Sequence, residues 1–153
     1  MYKFLTIFIL LLLPFCSSGQ EKGNKIPLKV IEFKDNVDLP LTVKERRQID
    51  EVYGPYAEKY IYSNAFRLNC IKDILRNRVV IKLITNKRDQ KDCQKLSEIP
   101  VLNSFVPDLK RDKTFDPQNF NPLKYNFAFH SKGSTIYQVD NTNYFITIES
   151  QYH

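Results

Sequence analysis

Tyr125-Asn126-Phe127-Ala128-Phe129-His130 alternates aromatic with small or polar residues, the period of a strand that buries one face. Ser131-Lys132-Gly133 then supplies turn residues, and Thr135, Tyr137 and Val139 alternate with Ile136, Gln138 and Asp140. Asn141-Thr142-Asn143 turns the chain again into Tyr144-Phe145-Ile146-Thr147-Ile148, rich in β-branched and aromatic residues. Together these stretches predict a C-terminal three-stranded antiparallel meander, whose local pairing costs little loop entropy.

Upstream of the meander, Pro100, Pro107, Pro117 and Pro122 divide residues 96–123 into pieces unsuited to a long helix or a central strand. Leu102, Phe105, Val106, Leu109, Phe115 and Phe120 nevertheless recur through this stretch. Exposing them would forfeit about 1.5–3 kcal/mol per side chain, so an ordered, irregular arm wrapped onto the core is expected. Residues 86–95 read as a solvated loop of mixed charge. The run Arg78-Val79-Val80-Ile81-Lys82-Leu83-Ile84-Thr85 predicts a middle strand, one covered on both sides or central in its sheet.

Two short helices are predicted in the N-terminal half. Thr42-Val43-Lys44-Glu45 has the form of a capping box, Ile49, Val52 and Tyr53 share one face behind it, and Gly54-Pro55 ends the run. Ser63 or Asn64 can cap a second helix over residues 63–77, with Leu68, Ile71 and Leu75 at helical spacing. Residues 56–62, with three tyrosines, are expected to be extended, and residues 28–33 to form a first strand. The fold class expected is therefore α+β: two short helices, a middle strand and the meander, forming one domain over residues 28–153.

Residues 1–19 have the form of a secretory signal, with Lys3 ahead of the apolar run 4–15 and small residues at Ser17 and Gly19. That run falls short of the roughly 20 apolar residues that span a bilayer. Cleavage after Gly19 and a polar lead-in over residues 20–27 are expected, placing the mature protein in the periplasm or the medium. The alternative is a lipoprotein anchored at Cys16, although Leu13-Pro14-Phe15 lacks the small residues usual before a lipidated cysteine. Membrane association is expected only through that lipid. Export makes Cys70 and Cys93 candidates for one disulfide, which would close a roughly 24-residue loop and stabilise the fold by about 3 kcal/mol.

The composition, 42% hydrophobic and 26% charged, excludes collagen-like, disordered and multi-spanning proteins. A net charge of +6 is mildly basic, but the basic residues are dispersed and the aromatics alternate like core residues, so no nucleic-acid partner is expected. With two histidines, any His-based site depends on His130, beside Ser131 and Ser134 in a turn. No zinc-type cysteine or histidine spacing occurs, four glycines cannot build a phosphate cradle, and Asp140-Asn141-Thr142-Asn143 lacks the glycine and terminal acid of a calcium loop. No metal, cofactor or catalytic residue is expected. The candidate binding residues are Asp108, Lys110 and Arg111 in the arm, the aromatics Phe105 and Phe120 that flank them, and His130.

The arm Ile99-Pro100, Phe105-Val106-Pro107-Asp108-Leu109-Lys110-Arg111-Asp112 and Phe120-Asn121-Pro122-Leu123-Lys124-Tyr125-Asn126-Phe127, continued by Tyr137-Gln138-Val139-Asp140-Asn141-Thr142-Asn143-Tyr144-Phe145-Ile146 and preceded by a Ser-Gly-Gln signal end, resembles small exported proteins of Bacteroidetes-type bacteria. The resemblance implies export and no activity. The function expected is non-enzymatic binding of an envelope or secreted protein partner, in an inhibitor or immunity-like role. The alternative is a carrier of a small apolar ligand or lipid in an aromatic pocket, and a hydrolase using His130 with nearby carboxylates ranks third.

Overall fold

The computed structural model describes residues 31–152. The signal, the lead-in and Cys16 lie outside the described residues, as do residues 28–30 of the expected first strand, and residues 31–33 are not in a strand. The fold is α+β. Helix α1, Val43–Tyr53, carries the full capping box: the Thr42 hydroxyl accepts from the Glu45 amide at 3.2 Å, and the Thr42 amide donates to Glu45 Oε2 at 2.8 Å. Ile49 and Val52 on its inner face are fully buried. Gly54 ends the helix at φ +50°, and a Cβ there would meet Val106 Cγ2 of the arm at 3.0 Å, so both conformation and space call for glycine.

The chain then stays helical where an extended stretch was expected, through a 3₁₀ turn at Gly54–Tyr56 and a π turn at Glu58–Tyr62. Packing overrides the strand preference of the tyrosines. The Tyr62 hydroxyl donates to Asp50 Oδ1 at 2.6 Å, the Arg46 guanidinium lies 4.9 Å from the Tyr62 ring centre, and Ile61 is buried between the helices. Helix α2, Ala65–Asp73, is capped by Asn64, which accepts from the Arg67 amide, and it continues through a π turn, Ile74–Arg78, into strand β1, Val79–Leu83.

The other strands are β2, Gln94–Lys95; β3, Thr135–Gln138; and β4, Tyr144–Ile148, and the sheet order is β1-β4-β3-β2. β4 is antiparallel to both neighbours, pairing Val79 with Ile148 on one side and Tyr137 with Ile146 on the other, while β2 joins β3 in parallel. The hairpin β3–β4 follows the sequence expectation, and β1 takes the place of the meander's expected first strand. Residues 125–129 keep the predicted alternation of burial, with Tyr125 and Phe127 inside, but they are not a sheet strand. Their backbone is spent elsewhere: Phe127 and Phe129 amides donate to the carbonyls of Tyr125 and Phe127, Asn126 donates to Pro100 O, and the β3 side chain Tyr137 takes the Ala128 amide on its hydroxyl.

Residues 96–124 form the expected arm, ordered without long regular elements. Two apolar clusters result. One joins Leu96, Ile99 and Phe120 of the arm, and Tyr125 and Phe127 of the curled segment that follows it, to Tyr137, Ile146 and Ile148 of the sheet; the other joins Ile49, Val52, Ile61, Ile71 and Ile74 of the helices to Leu123.

Basic side chains fasten these irregular pieces. Arg76 forks onto Glu45 at 2.6 and 2.8 Å and also donates to the carbonyls of Asn36, Leu39 and Pro40. Arg111 donates to the carbonyls of Leu96 and Ile99 with its guanidinium 5.3 Å from the Tyr125 ring centre. Buried Lys124 lies between Asp112 at 2.5 Å and Glu51 at 3.1 Å; burial opposes its charge, but the two carboxylates outweigh that and raise its pKa.

Two predictions follow from this fastening. The Arg76 hydrogen bond, reinforced by Thr42, outweighs burial and lowers the Glu45 pKa to about 2, so its stabilisation is complete above the unfolded value near 4.5 and is lost as pH falls toward 2. Glu45→Gln is expected to destabilise the protein by about 2 kcal/mol at pH 7 and to flatten the loss of stability between pH 4.5 and 2, measured by urea unfolding at each pH. Arg111→Ala leaves two arm carbonyls without their donor and is expected to lower the unfolding free energy by about 2 kcal/mol at neutral pH. An unchanged denaturation midpoint would show that the arm does not depend on it.

Candidate functional site

Where the helical cluster faces the arm, the two do not close completely, leaving a cleft of about 430 Å³. Its floor is buried and apolar: Ile61, Ile71 and Ile74 from the helical side, Leu123 from the arm, and Tyr125 and Phe127 from the curled segment that follows it. Half-buried Tyr53, Tyr60, Cys70, Leu102, Phe105 and Phe129 form the walls. Exposed Phe66, Arg67, Asn126 and His130 mark the mouth.

The elements that place these groups follow from the local fold. The helical run between α1 and α2 sets Tyr60 one turn beyond Tyr56, and Phe105 of the arm packs on Tyr53 and Tyr60 at ring-centre distances of 4.9 and 5.2 Å. Gly54 permits this close approach of the arm to the end of α1. The first turn of α2 brings Phe66 and Arg67 to the mouth, and the curled backbone of residues 125–129 delivers Phe127, Phe129 and His130 to the opposite side.

Burial raises the Tyr53 hydroxyl pKa, and the nearby Arg67 charge works weakly against that. Burial also raises the Cys70 thiol, with Asp73 acting in the same direction and Arg78 opposing it. Both groups are thus neutral at pH 7, and the wall they belong to is a poor nucleophile and a good apolar surface. No aspartate or glutamate among the described residues lines the cleft. Among the described residues no group of three or more His, Cys, Asp or Glu is placed to hold a metal ion.

Of the candidate residues from the sequence, Phe105 and His130 meet in this cleft. The others do not join them. Phe120 is a core residue 5% exposed, stacked on Tyr125 at 5.3 Å; Arg111 spends its donors on the arm; Asp108 and Lys110 are exposed on the arm surface.

The expected disulfide is absent. Cys70 and Cys93 are both free thiols, because α2 sets Cys70 in the cleft wall while Cys93 immediately precedes β2 at the far edge of the sheet, close to Gln138.

Sequence reasoning missed Tyr53, Tyr60, Phe66 and Arg67 as a group. The available signal was Phe66-Arg67 standing at the start of a capped helix, off its apolar stripe. A second cavity, of about 390 Å³, lies beside Asp73, Asn77, Arg78 and Glu149. Several of its polar groups bond one another: Asn77 donates to Asp73 at 2.9 Å, and Arg78 donates to the Glu149 carbonyl at 3.1 Å. No family model, curated protein or solved structure matches this chain.

Proposed function

We propose that this is an exported, non-enzymatic binding protein whose ligand is a small, largely apolar molecule seated in the cleft between the helices and the arm. The observation that carries this reading is the cleft itself: a floor of buried Ile, Leu and aromatic side chains, walls of half-buried aromatics, and polar groups confined to its mouth. A volume of about 430 Å³ lies in the range of small-molecule sites, and few polar groups around an apolar body is their usual chemistry. A cleft lining without a described carboxylate and with a neutral Cys70 favours binding over catalysis.

A second reading, in which an envelope or secreted protein partner is bound, is favoured by the exposure of Phe66 at 58% and Tyr56 at 46% around the same mouth. The cleft would then seat one apolar side chain of the partner.

A titration with the neutral dye N-phenyl-1-naphthylamine separates the two. One dye molecule is expected to bind per chain with an enhanced, blue-shifted emission. Leu102→Trp, which fills the cleft from a half-buried wall position, is expected to weaken binding about tenfold or more while the circular dichroism stays that of the parent. A folded protein that leaves the dye in water, or a Leu102→Trp protein that binds it as before, contradicts the small-ligand reading and favours the partner.

A further inference from the structure

Resting on that reading, we propose that the cleft is built for an amphipathic monocarboxylate: an apolar body on the floor, and a carboxylate held by Arg67 at the mouth. Among the described residues, Arg67 is the one side chain of fixed charge in the lining. Its situation differs from that of the other basic groups near the core. Arg76, Arg78, Arg111, Lys72 and Lys124 are each committed to carbonyls or carboxylates of the chain. Arg67 makes one long bond, from Nη1 to Tyr60 O at 3.4 Å, and has no ion pair with any described carboxylate.

That leaves most of a five-donor planar fork available at the opening of an apolar cavity. The fork matches a carboxylate in shape, and the low-dielectric wall beside it strengthens the pairing relative to an open surface. A single cation balances a single negative charge, which favours a carboxylate over a phosphate dianion. The Arg67 charge also reaches the Tyr53 hydroxyl in the cleft wall, where it works against the rise that burial causes. The apolar floor in turn excludes hydrophilic acids, which would leave Ile61, Ile71 and Leu123 unmatched.

The test is isothermal titration calorimetry on the full chain with dodecanoate, 1-dodecanol and dodecylamine, all below their aggregation limits. Dodecanoate is expected to bind one per chain and about tenfold or more tighter than the alcohol, with the amine weakest. Arg67→Gln, an exposed change on the helix surface, is expected to bring dodecanoate down to the alcohol's affinity and to leave the alcohol unchanged. Equal affinities for acid and alcohol, or an Arg67→Gln variant that loses both alike, would overturn the carboxylate assignment while leaving an apolar cleft. Failure of all three to bind would overturn the small-ligand reading and this inference with it.

Discussion

Carbonyls in the irregular segments outside the α-helices and strands need donors, and here basic side chains supply several that backbone amides do not. Arg76 gathers the carbonyls of residues 36, 39 and 40 onto the Glu45 carboxylate that also caps α1. Arg111 holds two carbonyls of the arm, Lys72 donates to Val37 O at 2.8 Å, and Arg78 joins the carbonyls of Phe129 and Glu149. These four basic side chains are therefore interior fasteners rather than parts of a basic face offered to a partner. The strength of charge-assisted bonds suits the task, since each reaches a carbonyl outside the α-helices and strands, and Arg111 does so for the proline-broken arm.

This fastening has a geometric result. The arm is held to the sheet by Leu96, Ile99 and Phe120, and to the helices by Leu123, with Val79 and Phe129 packing on both clusters. Two separately packed clusters sharing so few residues meet as a seam, and the cleft is the part of that seam the arm does not fill. Phe105 stands at its edge, braced on Tyr53 and Tyr60.

Much of this was legible in the sequence where the physics is local. The capping box at Thr42 and Glu45, the stop of α1 at Gly54 and the β3–β4 hairpin rest on interactions within a few residues and stand as read. The middle strand is present as β1, but not in the central or doubly covered place its apolar run suggested: it pairs with distant β4 at one edge of the described sheet and leaves Lys82 and Leu83 exposed. The failures lie where long-range packing decides. The alternation in residues 125–129 truly marks one buried face, but burial with period two does not specify what the backbone pairs with, and those amides turn locally instead. Tyr56, Tyr60 and Tyr62 carry strand propensity yet sit in helical turns, because Asp50 and Arg46 of α1 hold Tyr62. Cys70 and Cys93 looked like a pair only while their elements had no positions. His130 and Phe105 were singled out for the chemistry of their types, whereas Arg67 gains its interest from what the fold places beneath it.

If the seam between the two clusters is the binding site, a methyl-resolved NMR titration with a neutral apolar probe such as 1-dodecanol will show it. Saturable shifts are expected at the methyls of Ile61, Ile71, Ile74, Leu102 and Leu123, with Ile146 and Ile148 in the sheet core unmoved. Shifts confined to Leu109 and its exposed neighbours on the arm, or no saturable shift in the folded protein, would contradict a binding site at the seam.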